Sequence, residues 1–199
     1  MKRATIFSVL VAAGFTMAAC STSTGGTATP SPSTAGPATG TSKTKLTAPP
    51  VTNPLDAAKY EQNPCGVLNP AQASQVANLT KAGEPFGGQF KICQWKDDNY
   101  SGISFSFIRG GGLSDTYSNQ DDDSGYFKVA PDVSGYPAVF AGITDDRSKG
   151  GCQMSVGVSE TVQMVVNSSF DKSSPLYSDP CSVTQKAAEA AIATLKGGS

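Results

Sequence analysis

Four cysteines, Cys65, Cys93, Cys152 and Cys181, constrain the fold of this chain more than any other feature. In an exported protein an even set of cysteines reads as a disulfide framework. Zinc sites and dithiol redox centres bring their cysteines as close pairs, and these lie about thirty residues apart or more. Two structural cross-links are therefore expected, and no metal or cofactor. Three pairings are possible. Joining Cys65 to Cys93 and Cys152 to Cys181 is favoured, because each bond would then pin a terminal helix to a strand of the sheet it covers. Each such loop contributes about 3–4 kcal/mol in the chain-entropy picture.

The N-terminus supplies the compartment that this reading needs. Met1-Lys2-Arg3 precedes an apolar run from Ile6 to Ala19, the order of charge and hydrophobe found in a secretory signal. The run is short of the roughly 20 apolar residues that a spanning helix requires. It ends at Met17-Ala18-Ala19-Cys20, which resembles a lipobox: small residues fit a signal-peptidase cleft, and the Cys20 thiol accepts a diacylglyceryl group. Residues 1–19 are thus expected to be a signal peptide. Cys20 is expected to be the lipid-bearing N-terminus, held at the extracytoplasmic face of the cell membrane by more than one acyl chain. Loss of Lys2 and Arg3 leaves 13 basic residues against 16 acidic ones. That balance argues against nucleic acid and against a polybasic grip on lipid headgroups, leaving the acyl group as the membrane contact.

From Cys20 to Pro54 the chain is Thr, Ser, Gly, Pro and Ala with few large apolar residues, a composition that cannot offset its own conformational entropy. A disordered tether is expected there, followed by one globular domain over residues 55–199. Asn69-Pro70-Ala71-Gln72 sets out a helix start with capping residue, first-turn proline and capping-box glutamine, predicting a helix to about Thr80. Phe90 to Lys96, the alternating stretch around Ile103, Phe105 and Phe107, and Ala138 to Ile143 read as strands. Residues 152–158 and 162–166 alternate about a short turn at Ser159-Glu160, as an antiparallel hairpin does. Asp179-Pro180 opens a C-terminal amphipathic helix with Val183, Ala187, Ala188, Ala191, Ile192 and Leu195 on one face. The order predicts an α+β fold, a twisted antiparallel β-sheet packed against N- and C-terminal helices and closed by two disulfides.

The chain has no histidine, which removes the commonest general base and the Ser-His-Asp and Cys-His arrangements. Gly110-Gly111-Gly112 lacks the Lys-Ser/Thr context of a phosphate loop and reads as a turn. Asn119, Asp121 and Asp123 are spaced like the start of a calcium loop, but Ser124 and Ala130 stand where that loop needs Gly and Glu. Aromatic residues gather in or beside the irregular middle. Among them Tyr100, Tyr117, Tyr126 and Tyr136 are the candidate ligand-contacting residues, against the alternative that they pack a long loop.

Taken together, Asn63-Pro64-Cys65-Gly66-Val67-Leu68, Cys93-Gln94-Trp95, Gly135-Tyr136-Pro137-Ala138, Cys152 at the head of a strand and Asp179-Pro180-Cys181 resemble an actinobacterial lipoprotein family catalogued as a domain of unknown function, to which mycobacterial Lpr-type lipoproteins belong. The resemblance implies a lipidated, disulfide-bonded envelope domain and carries no catalytic residue. A looser similarity in element order is to the extracellular sensor domains of mycobacterial serine/threonine kinases, which implies binding rather than catalysis. The expectation is a non-enzymatic binding or accessory module whose partner is an envelope lipid, a glycan or a protein. The alternatives are a structural envelope component or surface antigen and, after it, a carboxylate-based hydrolase.

Overall fold

Alternation of apolar and polar side chains builds seven strands into one sheet: β1 (Lys81–Ala82), β2 (Ile92–Lys96), β3 (Gly102–Arg109), β4 (Tyr126–Val129), β5 (Ala138–Gly142), β6 (Gly151–Ser159) and β7 (Val162–Ser169), in the spatial order β1-β2-β3-β7-β6-β5-β4. This computed structural model describes residues 45–121 and 125–197; the expected signal peptide, Cys20, the expected tether up to residue 44, and Asp122, Asp123 and Ser124 lie outside them. Every neighbouring pair of strands is antiparallel. After β3 the chain crosses to the far edge through α3 (Leu113–Ser118), and β4 to β7 meander back until β7 lies beside β3.

Register decides what each face carries. Ile103, Phe105 and Phe107 of β3 stand opposite Ser168, Val166 and Met164 of β7, which stand opposite Cys152, Met154 and Val156 of β6. This apolar face is covered by α4 (Pro180–Gly197), whose Val183, Ala187, Ala188, Ala191, Ile192 and Leu195 are all buried. The alanines let the helix approach closely, and each larger side chain contributes about 1.5–3 kcal/mol by leaving water. Where the face turns polar, at Ser168, its hydroxyl lies 2.7 Å from that of Thr184, which in turn donates to the Pro180 carbonyl at 2.9 Å.

Against α4 packs α2 (Pro70–Ala77), started by the anticipated capping box: Asn69 accepts from the Gln72 N–H, and the Gln72 side chain accepts from the Asn69 N–H. It stops earlier than Thr80, because Asn78 takes the left-handed conformation at φ 53° and turns the chain, burying Leu79 beyond the helix rather than on it. The short α1 (Ala58–Gln62) and a 3-10 turn at Pro64–Val67 precede it. Both disulfides form in the favoured pairing, with Cα atoms 5.0 Å apart for Cys65–Cys93 and 5.1 Å for Cys152–Cys181. The second ties β6 to the first turn of α4, and the first ties β2 to the 3-10 turn just ahead of α2. The fold is the expected α+β arrangement.

Two regions differ from expectation. Residues 45–54, whose composition suggested a disordered tether, lie along the domain as a strap. The Gln120 carboxamide holds both backbone groups of Leu46, Glu160 accepts from the Val51 N–H at 2.6 Å, and Tyr136 donates to the Asn53 carbonyl at 2.9 Å. Side chains far along the sequence supply these bonds, which composition could not show. The supposedly irregular middle holds α3 and β4. The turn into α3 needs glycine: Gly112 sits at φ +57°, where a Cβ would come within 2.7 Å of the Glu160 carbonyl oxygen.

Candidate functional site

The second face of the sheet is covered over only part of its area. Near the β6–β7 turn, α3 lies across it, with Leu113 and Tyr117 packed on Val139 and Ala141 and the strap residue Ala48 beside them. Within that covered part Thr116 donates to the buried Gln163 at 2.7 Å. Toward the opposite end, pairing lines up Gln94 with Ser104, Ser104 with Asn167, and Asn167 with Gln153, one residue from each of four adjacent strands. All four are half-buried, and among the described residues none of these side chains has a hydrogen-bond partner. A parallel row follows on the same face with Lys96, Gly102, Ser169 and Gly151. Strands spaced 4.7–4.9 Å make the first row about 14 Å long.

A cleft opens at each end of these rows. At the β6 end a cleft of about 490 Å³ is lined by Tyr126, Thr144, Asp146, Lys149, Gln153, Asn167 and Ser169, with Cys152 and Ser168 deeper in. It exists because the ladder between β5 and β6 stops at Phe140–Met154. The bond from the Gly157 N–H to the Pro137 carbonyl shows which residues of β6 face β5, and a period of two brings Gln153 to the same side. Gln153 finds no strand partner there. The Tyr126 hydroxyl replaces one, accepting from the Gln153 N–H at 2.7 Å and donating to its carbonyl at 3.1 Å. The ring reaches this position by passing Gly142, where a Cβ would meet it at 2.7 Å. Burial pushes the Tyr126 hydroxyl above the ordinary tyrosine pKa, outweighing the opposing pull of the Gln153 N–H and of Arg147.

Charges around this cleft cancel in pairs. Arg147 lies 4.4 Å above the Tyr126 ring and forks onto both oxygens of Asp145 at 2.7 and 2.6 Å. Those hydrogen bonds pull Asp145 down to a pKa of about 2. Lys149 reaches Asp146 at 3.3 Å.

At the β2 end a second cleft of about 360 Å³ is lined by Lys81, Glu84, Phe86, Gln94, Lys96, Asp98 and Tyr100. Lys81 pairs with Asp98 at 2.6 Å, and the Lys96 ammonium sits 5.6 Å over the Tyr100 ring. Tyr100 is 80% exposed and held at φ +62° in the β2–β3 loop, where Asp97 accepts from the Asn99 and Ser101 N–H groups.

The four candidate tyrosines therefore do not share one groove. Tyr126 and Tyr100 line the two clefts at opposite ends of the polar rows. Tyr117 is buried under α3, edge-on to Phe127, and Tyr136 is buried with Lys196 over its ring. Sequence reading missed Gln94, Ser104, Asn167 and Gln153 as a group. Alternation marks Ser104 and Gln153 as polar-face positions, but only strand order and register align the four.

Among the described residues no helix is long and apolar enough to cross a membrane. The family described as protein of unknown function (DUF3558) matches residues 15–194. No curated protein and no solved structure matches the chain.

Proposed function

The chain belongs to the DUF3558 family of proteins of unknown function, and from that premise we propose that it is a lipid-anchored binding module of the cell envelope, akin to actinobacterial Lpr-type lipoproteins, with the open polar face of the sheet as its ligand surface. The reading keeps acylated Cys20 as the membrane contact on the extracytoplasmic side. One observation carries it: four aligned amide and hydroxyl side chains on neighbouring strands, none with a hydrogen-bond partner among the described residues, run between two clefts. On the covered part of the same face Gln163 is instead committed to Thr116.

Binding is favoured over catalysis by the pairing of Asp146, which lines the larger cleft, and of Asp145 beside it. A general acid needs a carboxyl raised toward neutral pH. Asp145 is instead drawn down to about 2 by Arg147, and Asp146 is paired with Lys149.

Native mass spectrometry of the full-length acylated protein extracted from its own membrane tests the proposal. A bound species is expected in the parent protein and absent from Asn167→Trp, whose indole would lie over the row. Ligand-free spectra for both, or the same species in both, would favour a structural component without a ligand. Cys20→Ala should move the protein from the membrane to the medium, and unchanged attachment would remove the anchor from the proposal.

A further inference from the structure

We infer that the ligand of the polar face is an uncharged, linear carbohydrate chain lying across the strands from the Tyr126 cleft to the Tyr100 cleft; the inference rests on the binding reading above and adds the ligand's class.

The row of Gln94, Ser104, Asn167 and Gln153 presents a donor and an acceptor at every step, because a carboxamide and a hydroxyl each do both. A complementary ligand must also donate and accept at each step. Sugar hydroxyls do so; an acyl chain does neither. A peptide recognised through its backbone needs a free strand edge to extend. These residues lie on the face of four mutually paired strands, where no ladder can be continued.

Charge narrows the class. Lys81–Asp98 at one end and Lys149–Asp146 and Arg147–Asp145 at the other neutralise one another, and Lys96, which stands over the Tyr100 ring, shares its cleft with Glu84 and Asp97, so neither cleft carries an excess of positive charge to select an acidic polymer. A neutral ligand fits best.

Aromatic placement and length agree with this. Tyr100 stands exposed at a left-handed backbone position that bulky residues seldom occupy, and exposed Phe86 lines the same cleft. The electron-rich face of an aromatic ring attracts the C–H face of a sugar ring. The span of about 14 Å from Gln94 to Gln153 accommodates about three sugar residues.

The test uses the intact acylated protein in detergent on an array of linear oligosaccharides of one to six residues, varied in sugar and linkage, with acidic chains alongside. At least one neutral series is expected to bind, with affinity rising to about three residues and then level. Gln153→Ala combined with Asn167→Ala should weaken binding about tenfold or more. Tyr100→Ala should weaken the longer ligands and leave the shortest unchanged. Thermal melts and intact disulfides verify that each variant is folded. A preference for acidic chains, or binding indifferent to the double variant, overturns the inference. A blank array while the membrane-extracted protein still carries an Asn167-dependent species sinks the carbohydrate class alone, whereas failure of both sinks the binding reading as well.

Discussion

Replacing Tyr126 by phenylalanine keeps the ring and removes only the hydroxyl that stands in for a missing strand. In the native protein that oxygen makes two hydrogen bonds to the backbone of Gln153, one accepted at 2.7 Å and one donated at 3.1 Å, beside a longer contact of 3.9 Å to Cys152 Sγ. At about 0.5–1.5 kcal/mol net for each, the loss would be about 1–3 kcal/mol. The adjoining cleft admits water to the freed groups, which places the cost toward the lower end, about 1–2 kcal/mol. For a domain of this size that lowers the melting temperature by about 2–8 °C. Differential scanning calorimetry on Tyr126→Phe, Gly142→Ala and the double variant measures it. Gly142→Ala drives a methyl group into the same ring and should break the same two bonds, so the double variant should cost less than the sum of the singles. A Tyr126→Phe melt identical to the parent, or strict additivity, would refute the idea that this hydroxyl caps the open edge of β6.

Removing the second disulfide with Cys152→Ser and Cys181→Ser, a separation of 29 residues, should cost about 3–4 kcal/mol and lower the guanidinium midpoint accordingly; an unchanged midpoint would contradict a structural role. Asn69→Ala should cost about 1 kcal/mol by removing the bond to the Gln72 N–H at 2.9 Å, read as a lower urea midpoint without a change in slope. Asp145 has a folded pKa depressed to about 2 by Arg147, so its contribution is complete above the ordinary carboxylate range near 4 and is lost as pH falls from there toward 2. Carbon-13 titration of its carboxyl should show that low midpoint, and Arg147→Ala should return it toward the ordinary value.

How much of this was legible in the sequence follows the range of the forces involved. The capping box at Asn69, the alternation in β3, β6 and β7 and the apolar stripe of α4 are local patterns, and each appears as read. The disulfide pairing was legible because the elements that the cysteines flank had to meet. The element β4, four residues long, and α3, six residues long without a side-chain cap, owe their existence to neighbours distant in sequence, so local pattern passed over them. The same holds for the strap, whose Leu46 is gripped by Gln120. The candidate surface was half visible. Ser104 and Gln153 could be assigned to a polar face, but their alignment with Gln94 and Asn167 depends on β7 inserting between β3 and β6, and a shift of one residue would have sent each to the other face.

The central claim, that the half-buried row of Gln94, Ser104, Asn167 and Gln153 is where this protein meets its ligand, is tested most directly through the side-chain amide resonances of the three amide residues. Nitrogen-15 spectra of the full chain, recorded while the tightest-binding oligosaccharide is added, should shift the NH₂ signals of Gln94, Asn167 and Gln153 together and saturably, with that of Gln72, which already donates within the fold, unmoved. Shifts confined to the α4 side of the sheet, or three amides that stay still at saturation, would contradict the account.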